Sequence, residues 1–364
     1  MIDILMTYDI PEPETYGEVY FKAALLLKST GHQVQFLNLD DFASNYDFSD
    51  SYLQELTKHD PPKLIISHQA SLQRSLRSHL GTKLEPTIYG LLEEEIEKFI
   101  LKHYQGKSQT NSHYNASCAP EFKEGFVYRM RRERIPIPSS LIRGVDIPEA
   151  EWTYQNLSQR LSQGQQSGFL VKDITESKGQ GVHYLTEDNP DLMNDQKIKI
   201  AQQKIANNNP FPCSLRFVTF PGKIIASFFY YSKTDTHRSN LPDNYTKILI
   251  TPENIETLTK EDPLVSSLLS QNGFTPDLEI RDDILDLGKR VSALSSQSLL
   301  RGIDLIFDKG GNPYFLEAQT NPGYSWGSTY PLIAGLETGD RSHNLSIASW
   351  VIAHQIAQFL RERT

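Results

Sequence analysis

The feature that most constrains this chain is a pair of carboxylates that a predicted β-hairpin brings face to face. Two apolar runs flank Gly310 and Gly311, and a Gly-Gly pair is typical of a two-residue turn because both central positions require positive φ. A turn centred there places Asp304 directly opposite Glu317. Like charges in that position repel, so a cation between them is the simplest reason for the arrangement, and oxygen ligands favour Mg²⁺ or Mn²⁺. The alternative is that both carboxylates point to solvent beside neutral or basic neighbours.

The residues after the hairpin strengthen the metal interpretation. Gln319 lies on the same face as Glu317 and offers a further oxygen. The run Asp304…Glu317-x-Gln319-x-x-Pro322-Gly323 resembles the metal-binding segment of ATP-grasp enzymes, in which an Asp and then Glu-x-Asn coordinate the Mg²⁺ ions that bridge the ATP phosphates. The resemblance implies Asp304, Glu317, Gln319 and Asn321 as metal ligands. Glutamine replaces the usual asparagine at 319, with the same amide oxygen on a longer arm.

Composition limits the class of protein. The 364 residues carry a net charge of −9, with 38% hydrophobic and 22% charged residues, which indicates a soluble globular protein without a broad nucleic-acid surface. The two cysteines, Cys118 and Cys213, form no disulfide or metal pattern, as expected in a reducing cytoplasm. No signal peptide and no apolar run of about 20 residues is recognisable, so a membrane location is not expected.

The order of elements predicts an α/β protein. The first third reads as β-α-β, with a strand at 2–8, a helix at 16–30 and a strand at 34–39, which indicates a small open parallel sheet. The central and C-terminal parts mix helices with hairpins, an α+β pattern, and the resemblance implies an ATP-grasp fold there. Three domains are expected: an N-terminal α/β domain at 1–120, a small ATP-grasp subdomain with a phosphate loop at 121–205, and a C-terminal subdomain with the metal hairpin at 206–364.

A lysine and a glycine-containing loop form a candidate phosphate site. Lys172 ends an apolar strand, and Lys178, Gly179 and Gly181 follow. Glycines let backbone N–H groups approach an anion closely, although an ordinary loop between strands is the alternative. In ATP-grasp enzymes a strand-end lysine contacts the adenine and α-phosphate side of the nucleotide, and a Gly-rich loop covers the other phosphates. The resemblance gives Lys172 the first role and residues 177–181 the second.

Two further segments resemble nucleotide-binding parts of the family. Lys123 precedes an Ile-Pro segment, as another nucleotide-binding lysine does in ATP-grasp enzymes; a surface lysine is the alternative. The run Gln203, Lys204 and Ile205 resembles the hinge strand whose backbone groups read adenine. Backbone recognition tolerates the unusual side chains at 203 and 204.

Arginine and asparagine side chains are the candidate catalytic groups. Alternation places Arg216 on the strand face opposite Leu215 and Phe217, outside the core. A guanidinium there suits a transferring phosphoryl group, and an exposed strand arginine is the alternative. By resemblance, Asn240 matches an Arg-x-Asn segment of ribosomal protein S6 modification-type ligases, and Arg301 is a candidate for binding an acylphosphate.

The resemblance implies a Mg²⁺-dependent ligase that activates a carboxylate with ATP as an acylphosphate and joins it to an amine. The run after Pro322 also resembles the corresponding end of D-alanine–D-alanine ligases. Small-molecule or peptide substrates are both expected, and homodimers are common in the family. One alternative is an ATP-binding protein that keeps the fold without ligase activity. Another is a serine hydrolase using Ser325, in a G-x-S-x-G match, but the downstream Asp340 and His343 lie only three residues apart and Pro322 precedes the motif.

Overall fold

The computed structural model describes fifteen segments of the chain. They are residues 3–8, 16–38, 62–67, 109–110, 123–161, 168–173, 181–207, 209, 211–220, 223–232, 246–261, 263–294, 301–320, 333–334 and 340–362. By their contacts, Met1–Ala116, Gln297–Leu300 and Asn321–Thr364 form one unit, and Ser117–Ser296 and Arg301–Thr320 form a second.

The first unit contains the parallel sheet that the β-α-β pattern predicted. Its elements are β1 (Ile4–Tyr8), α1 (Tyr16–Ser29), β2 (Val34–Asn38), β3 (Leu64–Ser67) and β4 (Gln109–Thr110). The strand order is β2-β1-β3-β4, and all three pairings are parallel. Helix α1 buries Val19, Ala23 and Leu27 at helical spacing, and the chain leaves it through Gly31, whose φ is +96°.

A four-stranded antiparallel sheet, called the small sheet, begins the second unit. Its elements are α2 (Lys123–Arg132), β5 (Ser140–Ile142), α3 (Tyr154–Leu161), β6 (Phe169–Asp173), β7 (Val182–Leu185) and β8 (Ile198–Gln202), in the order β5-β8-β6-β7. One face packs Phe169, Val171 and Ala201 against α3. On the other face Ile200 packs with Val127 of α2, and this face carries the polar residues of the site.

A five-stranded antiparallel sheet, called the large sheet, completes the second unit. Its elements are β9 (Cys213–Phe220), β10 (Lys223–Tyr231), β11 (Thr246–Leu249), α4 (Pro252–Glu261), α5 (Pro263–Gln271), α6 (Asp282–Ala293), β12 (Arg301–Phe307) and β13 (Pro313–Thr320), in the order β11-β10-β9-β12-β13. Helix α6 lies on the core face, where Gly288 permits close approach: a Cβ there would come within 2.6 Å of the Phe217 ring.

The last helix, α7 (Arg341–Arg361), packs against α1 in the first unit. The three-domain division expected from the sequence stays a prediction, although its last segment, 206–364, spans both units. None of the helices in the described segments combines the length and apolar character needed to cross a bilayer.

Candidate functional site

The predicted carboxylate pair is present, because Asp304 of β12 pairs directly with Glu317 of β13. The register depends on a β-bulge at Leu316. On the turn side of the bulge Leu305 pairs with Phe315, and on the other side Asp304 pairs with Glu317. Phe315 and Ala318, three residues apart, both enter the core, so the bulge breaks the period of two and turns Glu317 to the opposite face.

The prediction of a two-residue turn at Gly310-Gly311 was wrong. Lys309, Gly310 and Gly311 form a three-residue loop closed by Asp308 and Asn312, and of the two glycines Gly311 has positive φ, at +73°. The Asp308 carboxylate fixes the loop by accepting from the backbone N–H of Gly310 at 2.8 Å and of Asn312 at 2.9 Å. This loop shifts the register by one residue, and the bulge at Leu316 restores the predicted pairing.

Arg216 extends the carboxylate pair into a row across the large sheet. As predicted, Leu215 and Phe217 enter the core and Arg216 lies on the other face, where it pairs with Asp304 of β12. Its guanidinium donates two hydrogen bonds to the Asp304 carboxylate, each 2.5 Å long, and the two side chains are 12% and 6% exposed. The guanidinium carbon lies 5.2 Å from the centre of the Tyr230 ring. Burial opposes the charge of Arg216, but Asp304 overrides it and keeps the pKa of Arg216 above its usual value.

Lys172 contributes a second buried cation, on the small sheet. It pairs with Ile200 and so faces the same side as that residue, away from α3. Burial lowers the pKa of Lys172 to about 8, and the charge of Lys123 acts in the same direction, whereas Glu317 and Asp304 act against it. The carboxylates of the large sheet thus lie close enough to Lys172 to act on its charge.

Lys123 lies beside Lys172, at the start of α2. Its ammonium donates to the backbone carbonyl of Asp173, the residue after Lys172. The position is compatible with the predicted nucleotide-binding role.

Sequence reasoning missed Gln202, which ends β8 on the site face. Gln202 is 2% exposed, and its amide nitrogen donates to Ser140 Oγ at 2.9 Å. Its Oε1 has no hydrogen-bond partner among the described residues, and a buried unpaired acceptor costs about 1–3 kcal/mol. The signal was available, because a glutamine in phase with the buried Ile200 breaks an apolar strand pattern.

The predicted hinge, Gln203 to Ile205, follows β8 directly. The backbone N–H of Gln203 donates to the Ser139 carbonyl at 2.7 Å, and the Lys204 ammonium lies 4.7 Å from the Tyr184 ring centre. The hinge thus occupies the edge of the site face, next to Gln202.

Of the remaining predicted residues, one is described and the others lie wholly or partly outside the described segments. Gly181 is described, and its carbonyl accepts from Asp173 N–H at 2.8 Å. The backbones of Arg301 and Gln319 lie in β12 and β13, but their side chains fall outside the description. The residues entirely outside it are Lys178, Gly179, Asn240, Asn321 and Ser325.

The donor set of the site fits Mg²⁺ or Mn²⁺. Asp304 and Glu317 supply hard carboxylate oxygens, and Gln319 lies in phase with Glu317 on β13. The described residues contain no group of three or more His, Cys, Asp or Glu side chains suited to a metal. A two-carboxylate site matches the usual preference of Mg²⁺, which takes one or two carboxylates and completes its shell with waters and substrate phosphates.

Comparison with solved structures identifies the fold of this chain. No protein-family model and no curated protein sequence matches the chain. The solved structure of the ATP-grasp ligase PsnB, complexed with precursor peptide PsnA2 and AMPPNP, superposes with a TM-score of 0.54 over 97% of this chain and 98% of that chain, at 12% identity. The protein has the ATP-grasp fold. The fold class predicted from the sequence is therefore confirmed.

Two other solved structures share the ATP-grasp fold. A Chryseobacterium gregarium RiPP-associated ATP-grasp ligase, in complex with ADP and a leader and core peptide, gives a TM-score of 0.50 at 12% identity and covers 97% of both chains. The biotin carboxylase domain of Hydrogenobacter thermophilus 2-oxoglutarate carboxylase gives a TM-score of 0.50 at 12% identity, over 96% of this chain and 70% of that chain.

Proposed function

We propose that this protein is an ATP-dependent ligase that activates a carboxylate as an acylphosphate and joins it to an amine. The observation that carries the proposal is the convergence of opposite charges from the two sheets of the second unit. Lys172 on the small sheet is electrostatically coupled to Asp304 and Glu317 on the large sheet. Cations beside a carboxylate pair are what phosphoryl transfer requires, since its catalysis is mostly positioning and charge neutralisation.

The roles follow from charge and position. Lys172 and Lys123 offset the charge of the nucleotide phosphates, and Arg216 binds the phosphoryl group that is transferred. Asp304 and Glu317, with Gln319, would hold Mg²⁺, which would neutralise further phosphate charge when it is bound. The substrate carboxylate attacks the γ-phosphorus and ADP leaves; the amine then displaces phosphate from the acyl carbon. This mechanism requires no side chain as a covalent nucleophile.

The nucleobase is proposed to lie against Gln202 and the hinge. The unpaired Oε1 of Gln202 is an acceptor suited to the exocyclic amine of adenine. The backbone of Gln203 to Ile205 follows directly, so a side-chain oxygen and backbone groups together recognise the base.

Peptides are the first substrate class to screen. The PsnB structure and the C. gregarium structure each contain a peptide. Small-molecule carboxylates and amines are the second class. A cytoplasmic location and a homodimer stay predictions.

Calorimetry with ATP and Mg²⁺ tests the proposal. The wild type is expected to bind ATP in a Mg²⁺-dependent manner, and Glu317→Ala to lose at least tenfold in affinity, while Glu253→Ala on the surface of α4 serves as the matched control. Absence of ATP binding by the folded wild type would contradict the proposal. Release of ADP with a panel of peptides and amino acids then identifies the carboxylate.

One observation favours the alternative of an ATP-binding protein without ligase activity. Both Asp304 oxygens are bound by Arg216, which leaves this carboxylate engaged before any metal arrives. Mg²⁺-dependent ATP binding without ADP release across the panel would favour this alternative. Restored metal binding in Gln319→Asn would then identify the glutamine as the cause.

A further inference from the structure

The pairing of Arg216 with Asp304 engages both oxygens of the carboxylate that is proposed to bind a metal. Nε contacts one carboxylate oxygen and Nη2 the other, each at 2.5 Å. The side chains are 12% and 6% exposed, so water competes little for either partner. A divalent cation that binds Asp304 therefore has to share the carboxylate with the guanidinium or displace it.

We propose that Arg216 opposes the binding of free divalent metal to Asp304, and that its guanidinium leaves Asp304 when a nucleotide phosphate binds the guanidinium. The inference rests on the proposed function, since it assigns Asp304 as a metal ligand and Arg216 as a phosphate ligand. Its consequence is an order of binding in which metal and nucleotide enter together rather than metal first.

The chemistry of the guanidinium explains why the exchange requires a phosphate. Arginine stays charged at any physiological pH, so Arg216 cannot leave Asp304 by losing a proton. Free Mg²⁺ would place two positive charges beside a buried guanidinium in a low-dielectric site, and that repulsion disfavours its entry. A triphosphate changes this, because it offers the same fork of two hydrogen bonds that the carboxylate offered.

The surroundings of Arg216 support an exchange of partners rather than expulsion to solvent. The face of Tyr230, 5.2 Å from the guanidinium, gives the cation a second attraction that does not depend on Asp304. Glu317 lies directly opposite Asp304 and belongs to the same charge cluster. The guanidinium therefore turns between anions within one site.

The test measures the binding of Mn²⁺ in the absence of nucleotide, and the electron paramagnetic resonance signal of the free ion reports how much Mn²⁺ is unbound. Arg216→Gln is expected to bind Mn²⁺ at least tenfold more tightly than the wild type, because Asp304 becomes available. The same variant is expected to bind ATP with Mg²⁺ at least tenfold more weakly, because the phosphate loses its partner. An arginine with a merely structural role would not change the two affinities in opposite directions.

Three further variants assign the effect. Arg216→Gln combined with Asp304→Asn should lose the gain in Mn²⁺ affinity, which places the gained site at Asp304. Arg216→Lys, which keeps the charge but not the fork, should give a smaller gain and carries the test if the glutamine variant does not fold by circular dichroism. Arg281→Gln removes a two-contact ion pair with Asp283 on the surface and should leave Mn²⁺ affinity unchanged.

The outcomes separate this inference from the proposed function. Unchanged or weaker Mn²⁺ binding in folded Arg216→Gln or Arg216→Lys overturns the inference, while Mg²⁺-dependent ATP binding by the wild type keeps the proposed function. Failure of the wild type to bind ATP with Mg²⁺ overturns the proposed function itself.

Discussion

The two sheets of the second unit each bury a cation, and they treat it in opposite ways. On the large sheet Arg216 has a carboxylate at 2.5 Å on two of its nitrogens, and its pKa is raised. On the small sheet Lys172 is also buried, but the more distant charges of Glu317 and Asp304 do not offset its desolvation, and its pKa falls to about 8. The large sheet thus holds a neutralised charge and the small sheet an uncompensated one.

This difference shows which part of the site is complete without ligand. The large sheet has satisfied its charges internally, so a ligand must exchange partners there. The small sheet holds the charged Lys172, and a ligand anion would offset the free energy that its desolvation costs. Each of the following variants changes the balance of charge or hydrogen bonding on one of the two sheets, and so tests this difference.

The largest effect is expected from Asp304→Asn, which removes the partner of Arg216 without changing the size of the side chain. Loss of one member of a buried ion pair costs about 3–5 kcal/mol in the free energy of unfolding, measured with urea. Asp283→Asn, in a surface ion pair, is the control and should cost less than about 1 kcal/mol. Equal losses in the two variants would show that Arg216 does not depend on Asp304.

A smaller effect of opposite sign is expected from Lys172→Met. Burial disfavours the charged lysine, so the variant should gain about 2 kcal/mol in unfolding free energy at pH 7 while losing affinity for ATP. The folded-state pKa lies below the unfolded value, so the cost in the wild type is present below about pH 8 and disappears as the pH rises toward 10.5. Urea unfolding from pH 6 to 10 should therefore show the gain shrinking above pH 8, and the exposed Lys197→Met should show no such trend.

The affinity for ATP should depend on pH through the same lysine. Above about pH 8 the free protein must take up a proton at Lys172 to bind the phosphates, so affinity should fall by up to about tenfold per pH unit. Calorimetry from pH 7.5 to 9.5 measures this slope. Lys172→Gln should bind more weakly and lose the slope, and a slope that persists in this variant would assign it to another group.

The smallest effect is expected from Gln202→Leu, beside the hinge. Loss of one hydrogen bond to adenine should cost about 1 kcal/mol, or roughly fivefold in ATP affinity, and should leave the affinity for GTP unchanged. Ser140→Ala removes the partner of the amide nitrogen but keeps Oε1, so it should affect ATP less. Equal loss for both nucleotides would argue against a role for Gln202 in recognising the base.

Local patterns predicted much of the fold and the identity of the carboxylate pair. Alternation placed Arg216 outside the core, and the β-α-β order predicted the parallel sheet, because both depend on neighbouring residues. The pairing of Arg216 with Asp304 joins residues 88 positions apart, and no local period encodes it. The bulge at Leu316 could not be predicted from the sequence either. The one-residue shift in strand register follows from the packing of Phe315 and Ala318 in the core rather than from residue type.

The bulge at Leu316 divides the hairpin into a tip and a base with independent registers. β9 pairs with β12 from Arg301 to Leu305, so the base is anchored on both sides, whereas the tip from Ile306 to Tyr314 extends past that pairing. Changes in loop length at the tip should therefore be absorbed without moving Glu317. Deleting Leu316 would place Glu317 directly after Phe315, and the resulting regular alternation would keep Glu317 on the face of the site and Ala318 in the core. The tip of the hairpin can thus be exchanged for another loop without disturbing the site, provided that the base keeps the pairing of Asp304 with Glu317.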